Sequence, residues 1–197
     1  TSYTAEDEDI LGANEDYTAL ENELRQKIAN IERTHPGYDE YRYQVDELGH
    51  NPYELTSYLI AKLRTYTREN VQGELRALFE AQYKLTLTEE VEIRYRTETS
   101  TDPETGETTT EQVPYEYYIL HVSLTNRDIT TIAPEVLTAE QLQMFRVYLE
   151  TSGNKPLLFG GGSADTSASE DLSGVQFVNG TRPGNPQLVE LAKGQVG

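Results

Sequence analysis

The chain has 197 residues, with 34 acidic and 16 basic side chains, and its formal net charge is −18. This length suits a single domain with tails or two small domains. The acidic excess repels phosphate and anionic lipid, so neither nucleic acid nor a membrane surface is expected as a partner. With no cysteine, these residues supply no disulfide, zinc thiolate or cysteine nucleophile. They also contain no apolar run of about 18 residues that would predict a transmembrane helix.

The first part of the chain is predicted to be a leader followed by a helix. Residues 1–16, TSYTAEDEDILGANED, are acidic and aperiodic, which predicts a frayed, disordered segment. Residues 17–33 then carry apolar side chains at helical spacing, and Pro36 and Gly37 end the helix. The apolar face of this predicted helix consists of Leu20, Leu24, Ile28 and Ile31.

Two more helices are predicted before residue 83. Asn51 is a good N-cap, Pro52 suits the first helical position, and Glu54 completes a capping box, so a helix is expected from residue 51 to about residue 66. A third helix is expected from about residue 69 to residue 82. Its apolar face consists of Val71, Leu75, Leu78 and Phe79.

The hydrophobic period then changes from helical to alternating, which predicts a long β-hairpin. Two alternating stretches flank the turn sequence TDPETGET, in which Asp102, Pro103 and Gly106 supply turn chemistry. A turn centred near Pro103 and Glu104 places odd residues of the first strand on the same face as even residues of the second. The pairing face is expected to consist of Leu85, Leu87, Val91 and Ile93 opposite Tyr118, Leu120, Val122 and Leu124.

The last predicted elements are a helix, a linker and the start of another helix. Thr138 and Gln141 form a capping box for a helix that ends at Gly153. Glycine- and serine-rich residues 160–184 have linker composition, and Asn185 and Pro186 begin a short amphipathic helix over 185–197. The expected fold class is therefore α+β, with helices packed on a long antiparallel hairpin or small sheet over residues 17–159.

Few residues indicate a metal-binding or catalytic site. His35, His50 and His121 have no partners at metal-ligand spacing, so they are interpreted as ordinary turn and strand histidines, and no metal or other cofactor is predicted. The segment LETSGNKPLLFGGG resembles the catalytic region of lytic transglycosylases, in which Glu150 would be the general acid. A helix end followed by a linker explains the same residues better.

Most of the aromatic side chains are tyrosines, and three tyrosines cluster in the segment GYDEYRY. Tyr38, Tyr41 and Tyr43 form a candidate binding surface, because a tyrosine ring with its polar tip suits sugar stacking and protein interfaces. The favoured alternative is that these rings hold a loop onto the helices.

Several segments resemble one protein family in amino-acid sequence: HPGYDEYRY, GHNPYELTSYLIAKL, VPYEYYILHVSLTN, LTAEQLQMFRVYLETSGNKPLLF and SASEDLSGVQFVNGTRPGNPQLVELAKGQVG. This family comprises cell-wall hydrolases encoded on conjugative transposons and related mobile elements of Firmicutes. The resemblance implies an extracytoplasmic region at the surface of a Gram-positive bacterium, between a membrane anchor and a C-terminal cysteine peptidase module of the CHAP or NlpC/P60 kind. NPQLVELAKGQVG is similar to the first helix of such a module, whose catalytic cysteine would follow it.

The resemblance implies that this chain is itself no enzyme. Its expected function is to position or regulate a peptidoglycan peptidase whose catalytic residues lie outside it. Peptidoglycan or a protein of the conjugation machinery is the expected partner. Two alternatives remain: a lytic-transglycosylase-like glycosidase that uses Glu150, and an adhesion or assembly module that binds conjugation machinery through the loop of Tyr38, Tyr41 and Tyr43.

Overall fold

The structure is a computed structural model that describes residues 3–160 and the short strand at residues 180–181. The described residues form two compact units. The helical unit is drawn from residues 3–29, Val45–Leu85 and residues 124–160. The hairpin unit is drawn from Asn30–Gln44, Thr86–Ser123 and residues 180–181. The α+β class expected from the sequence is confirmed.

The helices and strands have the following bounds. The helices are α1 (Asp7–Ala29), α2 (Ile31–Thr34), α3 (Pro52–Leu63), α4 (Gln72–Gln82), α5 (Ile129–Val136) and α6 (Ala139–Thr151), and a 3₁₀ turn follows at Ser152–Asn154. The strands are β1 (Glu40–Val45), β2 (Tyr83–Thr101), β3 (Thr108–Asn126) and β4 (Gly180–Thr181). No helix among the described residues is both long and apolar enough to cross a bilayer.

Helix α1 corrects the prediction of a disordered leader. It begins at Asp7, and both Ile10 and Ala13 are fully buried in the core of the helical unit. Tyr3, ahead of the helix, is buried as well. The acidic residues that suggested disorder form the first turn of the helix, where negative charge is favourable beside the helix N-terminus. The leader prediction is therefore wrong for residues 7–16.

The predicted helix starts at residues 51 and 138 are confirmed. The Asn51 side chain accepts hydrogen bonds from the backbone N–H groups of Tyr53 (2.8 Å) and Glu54 (3.3 Å). The Thr138 hydroxyl accepts from the Gln141 N–H (3.1 Å), and the Gln141 side chain accepts from the Thr138 N–H (3.0 Å). Helices α3 and α6, begun in this way, pack against each other in the helical unit.

Neither helix α5 nor strand β1 was predicted. Helix α5 has only eight residues and contains Pro134, so its apolar period is short and interrupted. Strand β1 covers most of the tyrosine-rich segment that was predicted to be a loop. Its sequence EYRYQV alternates polar and apolar side chains, which is the pattern of a half-buried strand. The prediction of a loop overlooked that pattern.

The strands form a sheet in the order β2-β3-β1-β4. Strands β1 and β3 run parallel, since the N–H of Asp39 bonds to the Tyr118 carbonyl and the N–H of Asp46 bonds to the Leu124 carbonyl further along both strands. Strand β4 pairs antiparallel with β1, with Arg42 opposite Thr181. Residues 180–181 of the predicted linker are thus in a strand. The rest of that linker and the predicted helix over 185–197 lie outside the described residues.

The predicted hairpin is confirmed, but the burial of its outer half is not. Ser100 contacts Thr109 (3.1 Å), and Gln112 contacts Thr97 (2.8 Å), so odd residues of β2 share a face with even residues of β3 as expected. The β2 residues Val91 and Ile93, however, are 45% and 55% exposed. Ile119, on the other face of β3, is fully buried. The turn is centred one residue later than predicted, between Glu104 and Thr105. Alternation therefore gave the correct facing of the side chains, but not the register or the degree of burial.

Candidate functional site

A polar cavity of about 270 Å³ lies in the helical unit. We refer to it as the polar cavity. Its walls come from the loop before α3, the first turn of α3, the end of α4 and the segment between β3 and α5. The lining residues are Glu47, Gly49, His50, Asn51, Glu54, Gln82, Asn126 and Asp128.

Behind the polar cavity, Glu21 and His50 form a buried pair. The Nδ1 atom of His50 lies 2.9 Å from one carboxylate oxygen of Glu21, and its Nε2 atom lies 2.6 Å from the side-chain oxygen of Asn14. The other Glu21 oxygen accepts a hydrogen bond from the Tyr83 hydroxyl (2.5 Å). Glu21 is fully buried, and His50 is 6% exposed. Both nitrogens of His50 and both oxygens of Glu21 are thus occupied within the same unit.

The same network holds the loop before α3 in place. The Tyr83 hydroxyl accepts from the Gly49 N–H (2.9 Å), and the Asn126 side chain donates to the Glu47 carbonyl (2.8 Å). Asn126 also accepts from Gln82 (2.9 Å), which in turn accepts from the Tyr17 hydroxyl (2.7 Å). Buried polar networks of this kind fix one conformation when every member is bonded.

Burial also keeps the tyrosines of the network protonated. Burial and the nearby Glu21 charge raise the pKa of Tyr83 far above its usual range. Burial, followed by the same carboxylate charge, raises the pKa of Tyr17. Both hydroxyls therefore remain protonated hydrogen-bond donors at neutral pH.

The groups that face the open side of the polar cavity are carboxylates. Glu54 is partly buried, whereas Glu47 and Asp128 are exposed. Burial, and secondarily the charge of Asp128, raises the pKa of Glu54, while His50 opposes this shift. The arrangement can hold a proton or attract a small cation. It does not sequester a pair of acids, because Asp128 lies in solvent.

The raised pKa of Glu54 predicts a pH-dependent stability difference for Glu54→Gln. A carboxyl group whose folded-state pKa lies above its unfolded value binds protons more tightly in the native state, so stability falls as the pH rises through that window. Urea unfolding should therefore show Glu54→Gln gaining stability over wild type as the pH rises above the ordinary glutamate value of 4.5. Below that value the difference should vanish.

Asp128→Asn is the matched control for this experiment. It removes the neighbouring charge that contributes to the Glu54 shift, and asparagine serves as a helix N-cap as well as aspartate does. The pH dependence should shrink in this variant. A stability difference between Glu54→Gln and wild type that is constant across the pH range would contradict the assignment.

Glu150, the candidate catalytic acid, is exposed on the last turn of α6. A general acid that protonates a glycosidic oxygen near neutral pH needs a desolvated carboxyl group with a raised pKa. An exposed carboxylate at a helix C-terminus does not provide this. The prediction of a glycosidase using Glu150 is therefore wrong.

The candidate tyrosine surface is also corrected. Tyr38 is fully buried, and Tyr41 and Tyr43 are 3% and 4% exposed. The Tyr41 hydroxyl donates to the His35 carbonyl (2.7 Å), and the Tyr43 hydroxyl donates to Glu32 (2.9 Å). The rings hold β1 against the residues that precede it. The packing interpretation is confirmed, and these side chains are not a binding surface.

The other histidines have local partners. His35 Nδ1 lies 2.9 Å from the Thr34 hydroxyl oxygen, and His121 Nε2 lies 2.6 Å from Glu90 across the hairpin. Within the described part of the chain, no group of three or more His, Cys, Asp or Glu side chains is placed to hold a metal ion.

The buried network was missed by sequence reasoning, although one feature of the sequence indicated it. Tyr17, Glu21 and Ile28 follow one another at helical spacing on the buried face of α1. A glutamate on an apolar helix face is rarely buried unless it is paired. Its partners, His50 and Tyr83, lie 29 and 62 residues away, and no local pattern connects them.

Comparisons with known proteins give no relative for this chain. No family model, no curated protein and no solved structure matches it.

Proposed function

We propose that this chain is a non-catalytic extracytoplasmic domain of a mobile-element cell-wall hydrolase, at the surface of a Gram-positive bacterium. In this role it positions or regulates a C-terminal peptidoglycan peptidase of the CHAP or NlpC/P60 kind. The resemblance of its segments to that family supports the proposal. So does the absence of cysteine from its sequence, because a cysteine peptidase requires a thiolate nucleophile.

The structural observation that carries the proposal is the saturated Glu21–His50 pair. A general base needs a free acceptor atom within reach of the substrate. In this pair, Tyr83 and Asn14 take the positions that a substrate or water would need. The most deeply placed titratable groups beside the polar cavity thus serve folding. This observation supports a role in positioning the peptidase over a catalytic role for this chain.

Zymography tests the proposal directly. The purified chain should leave peptidoglycan uncleared, whereas the parent protein with its peptidase module should clear it. Replacement of that module's cysteine by serine should abolish clearing, because the hydroxyl group is a far weaker nucleophile than the thiolate.

The positioning role needs a second comparison. The parent protein without residues 3–160, the folded part of this chain that includes all of α1, should release wall fragments more slowly, or at altered sites, at equal concentrations of peptidase module. Clearing by the chain alone would contradict the proposal, and Glu54→Gln and Asp128→Asn would then show whether the polar cavity is responsible. Identical activity with and without the domain would also contradict it.

A further inference from the structure

Strand β2 has an unpaired edge. It stands at one end of the strand order β2-β3-β1-β4, so none of the described strands pairs with its outer side. The strand is 19 residues long, and most of its residues beyond residue 90 are exposed. Such an edge presents a row of free N–H and C=O groups that can pair with another strand.

One face of this edge carries an exposed apolar stripe, defined as Val91, Ile93 and Tyr95. Their exposed fractions are 45%, 55% and 62%. Alternate residues of a strand point to the same face, so the three side chains form one continuous row. Single exposed apolar residues are ordinary, whereas a contiguous row beside an open strand edge is typical of an interaction surface.

The other face carries four charges in a particular order. Glu90 and Glu92 precede Ile93, and Arg94 and Arg96 follow it, so the sequence EVEIRYR has opposite charges at equal distances on either side of Ile93. A strand with this pattern is complementary in charge to an antiparallel copy of itself. In that arrangement each glutamate meets an arginine, and opposite charges directly across a strand pair stabilise it.

We propose that β2 pairs with β2 of a second copy of this chain, antiparallel, about a two-fold axis at Ile93. Glu92 then lies opposite Arg94 of the second copy, and Glu90 lies opposite Arg96. Val91 lies opposite Tyr95, and Ile93 lies opposite Ile93, so the two apolar stripes join. The interface is isologous, as two-fold symmetry requires, and the two sheets become one continuous sheet.

Neighbouring registers are less favourable. With the axis at Arg94, Arg94 would face its own copy and Glu90 would face Glu98. With the axis at Glu92, Glu92 would face its own copy. Like charges directly opposite each other destabilise a strand pair. The charges therefore select the register centred on Ile93.

The arginines are already held on the charged face in the single chain. The Arg94 guanidinium stacks 3.4 Å from the centre of the Tyr117 ring and bonds to Glu92. The Arg96 guanidinium lies 5.4 Å from the centre of the Tyr115 ring. Both rings belong to β3, so these contacts fix the face of the sheet on which the guanidinium groups lie.

The overall charge of −18 opposes dimerisation, but salt reduces this effect. At about 0.15 M salt the screening length is about 8 Å, whereas side chains opposite each other in a strand pair are about 5 Å apart. Repulsion between the two whole chains is thus weakened more than attraction between the opposed pairs. The dimer is expected at physiological ionic strength.

Cysteine cross-linking tests the register. The chain has no cysteine, so Ile93→Cys introduces a single thiol at the two-fold axis. Its Cα atom would lie about 5 Å from that of its copy, within the range for a disulfide. Under mild oxidation this variant should form a covalent dimer of twice 22.3 kDa. Tyr95→Cys is the control, because residue 95 would lie four residues, about 13 Å, from its copy.

Charge exchange tests the pairing by sedimentation equilibrium on the full chain. Glu92→Arg or Arg94→Glu alone places like charges opposite each other, so each should weaken association about tenfold or more. The double variant restores opposite charges and should dimerise as wild type does. An equimolar mixture of the two single variants should form the heterodimer. Glu104→Arg makes the same change in net charge as Glu92→Arg, but in the turn between β2 and β3, outside the paired residues 88–98, and should have little effect.

Three results would overturn the proposal. One is a wild-type chain that stays at 22.3 kDa at every concentration, which would indicate that the apolar stripe binds a different protein. Another is equal cross-linking of Ile93→Cys and Tyr95→Cys. The third is a dimer that neither single charge variant weakens.

Discussion

Glu21→Ala is expected to lower the free energy of unfolding by about 3 kcal/mol. The substitution leaves the Tyr83 hydroxyl with only the Gly49 carbonyl (3.0 Å) as acceptor, and it leaves His50 without its carboxylate in the interior of the helical unit. Each buried polar group that loses its partner costs about 1–3 kcal/mol, and removing one member of a buried charged pair has effects at the upper end of that range. Urea unfolding followed by circular dichroism measures the change.

Glu23→Ala is the matched control. Glu23 lies two residues further along α1 and is exposed. Both variants introduce alanine, the best helix former, into the interior of the same helix. The control should change stability by no more than about 0.5 kcal/mol. Equal stability of the two variants would mean that the network around Glu21 does not hold the loop before α3.

Ile10→Ala is expected to lower the free energy of unfolding by about 3 kcal/mol, because Ile10 is fully buried in the core of the helical unit. Truncation of a buried isoleucine loses its burial and leaves a cavity, which together cost about 2–5 kcal/mol. The result is expected only if residues before Tyr17 belong to the folded core. The experiment therefore distinguishes helix α1 from the disordered leader that acidic composition predicted.

Leu11→Ala is the control for this substitution, since Leu11 is the next residue of the same helix and is 37% exposed. It should cost less than about 1 kcal/mol. In a frayed leader neither side chain would be packed, and the two variants would unfold together with wild type. That outcome would contradict the start of α1 at Asp7.

Predictions that rest on contacts between residues close in the sequence were correct, whereas a prediction from composition failed. Helix caps at Asn51 and Thr138 were predicted correctly because a cap is a contact between residues two or three positions apart. The faces of the hairpin were also predicted correctly, since alternation along two strands joined by a short turn fixes which residues share a face. The leader prediction failed because acidic residues are equally compatible with disorder and with a helix N-terminus.

The candidate sites were predicted less well than the fold. Glu150 was chosen because its segment resembles the catalytic region of lytic transglycosylases, and the cluster around Tyr41 was chosen for residue type. The structure exposes the first and buries the second. Residue type does not report solvent exposure, on which both general acid catalysis and binding depend. The Glu21–His50–Tyr83 network was missed because its members come from three distant segments of the chain.

The sequence by itself determined the α+β class, the caps of α3 and α6, the parity of the hairpin and the strong negative charge, since each depends on composition or on nearby residues. Tertiary structure decided which polar groups are buried together, that the tyrosine segment forms a strand inside the sheet, and that the apolar stripe of β2 remains exposed. These outcomes depend on which distant segment covers a given face. Long-range packing sets that choice, and the hydrophobic period of a single element does not contain it.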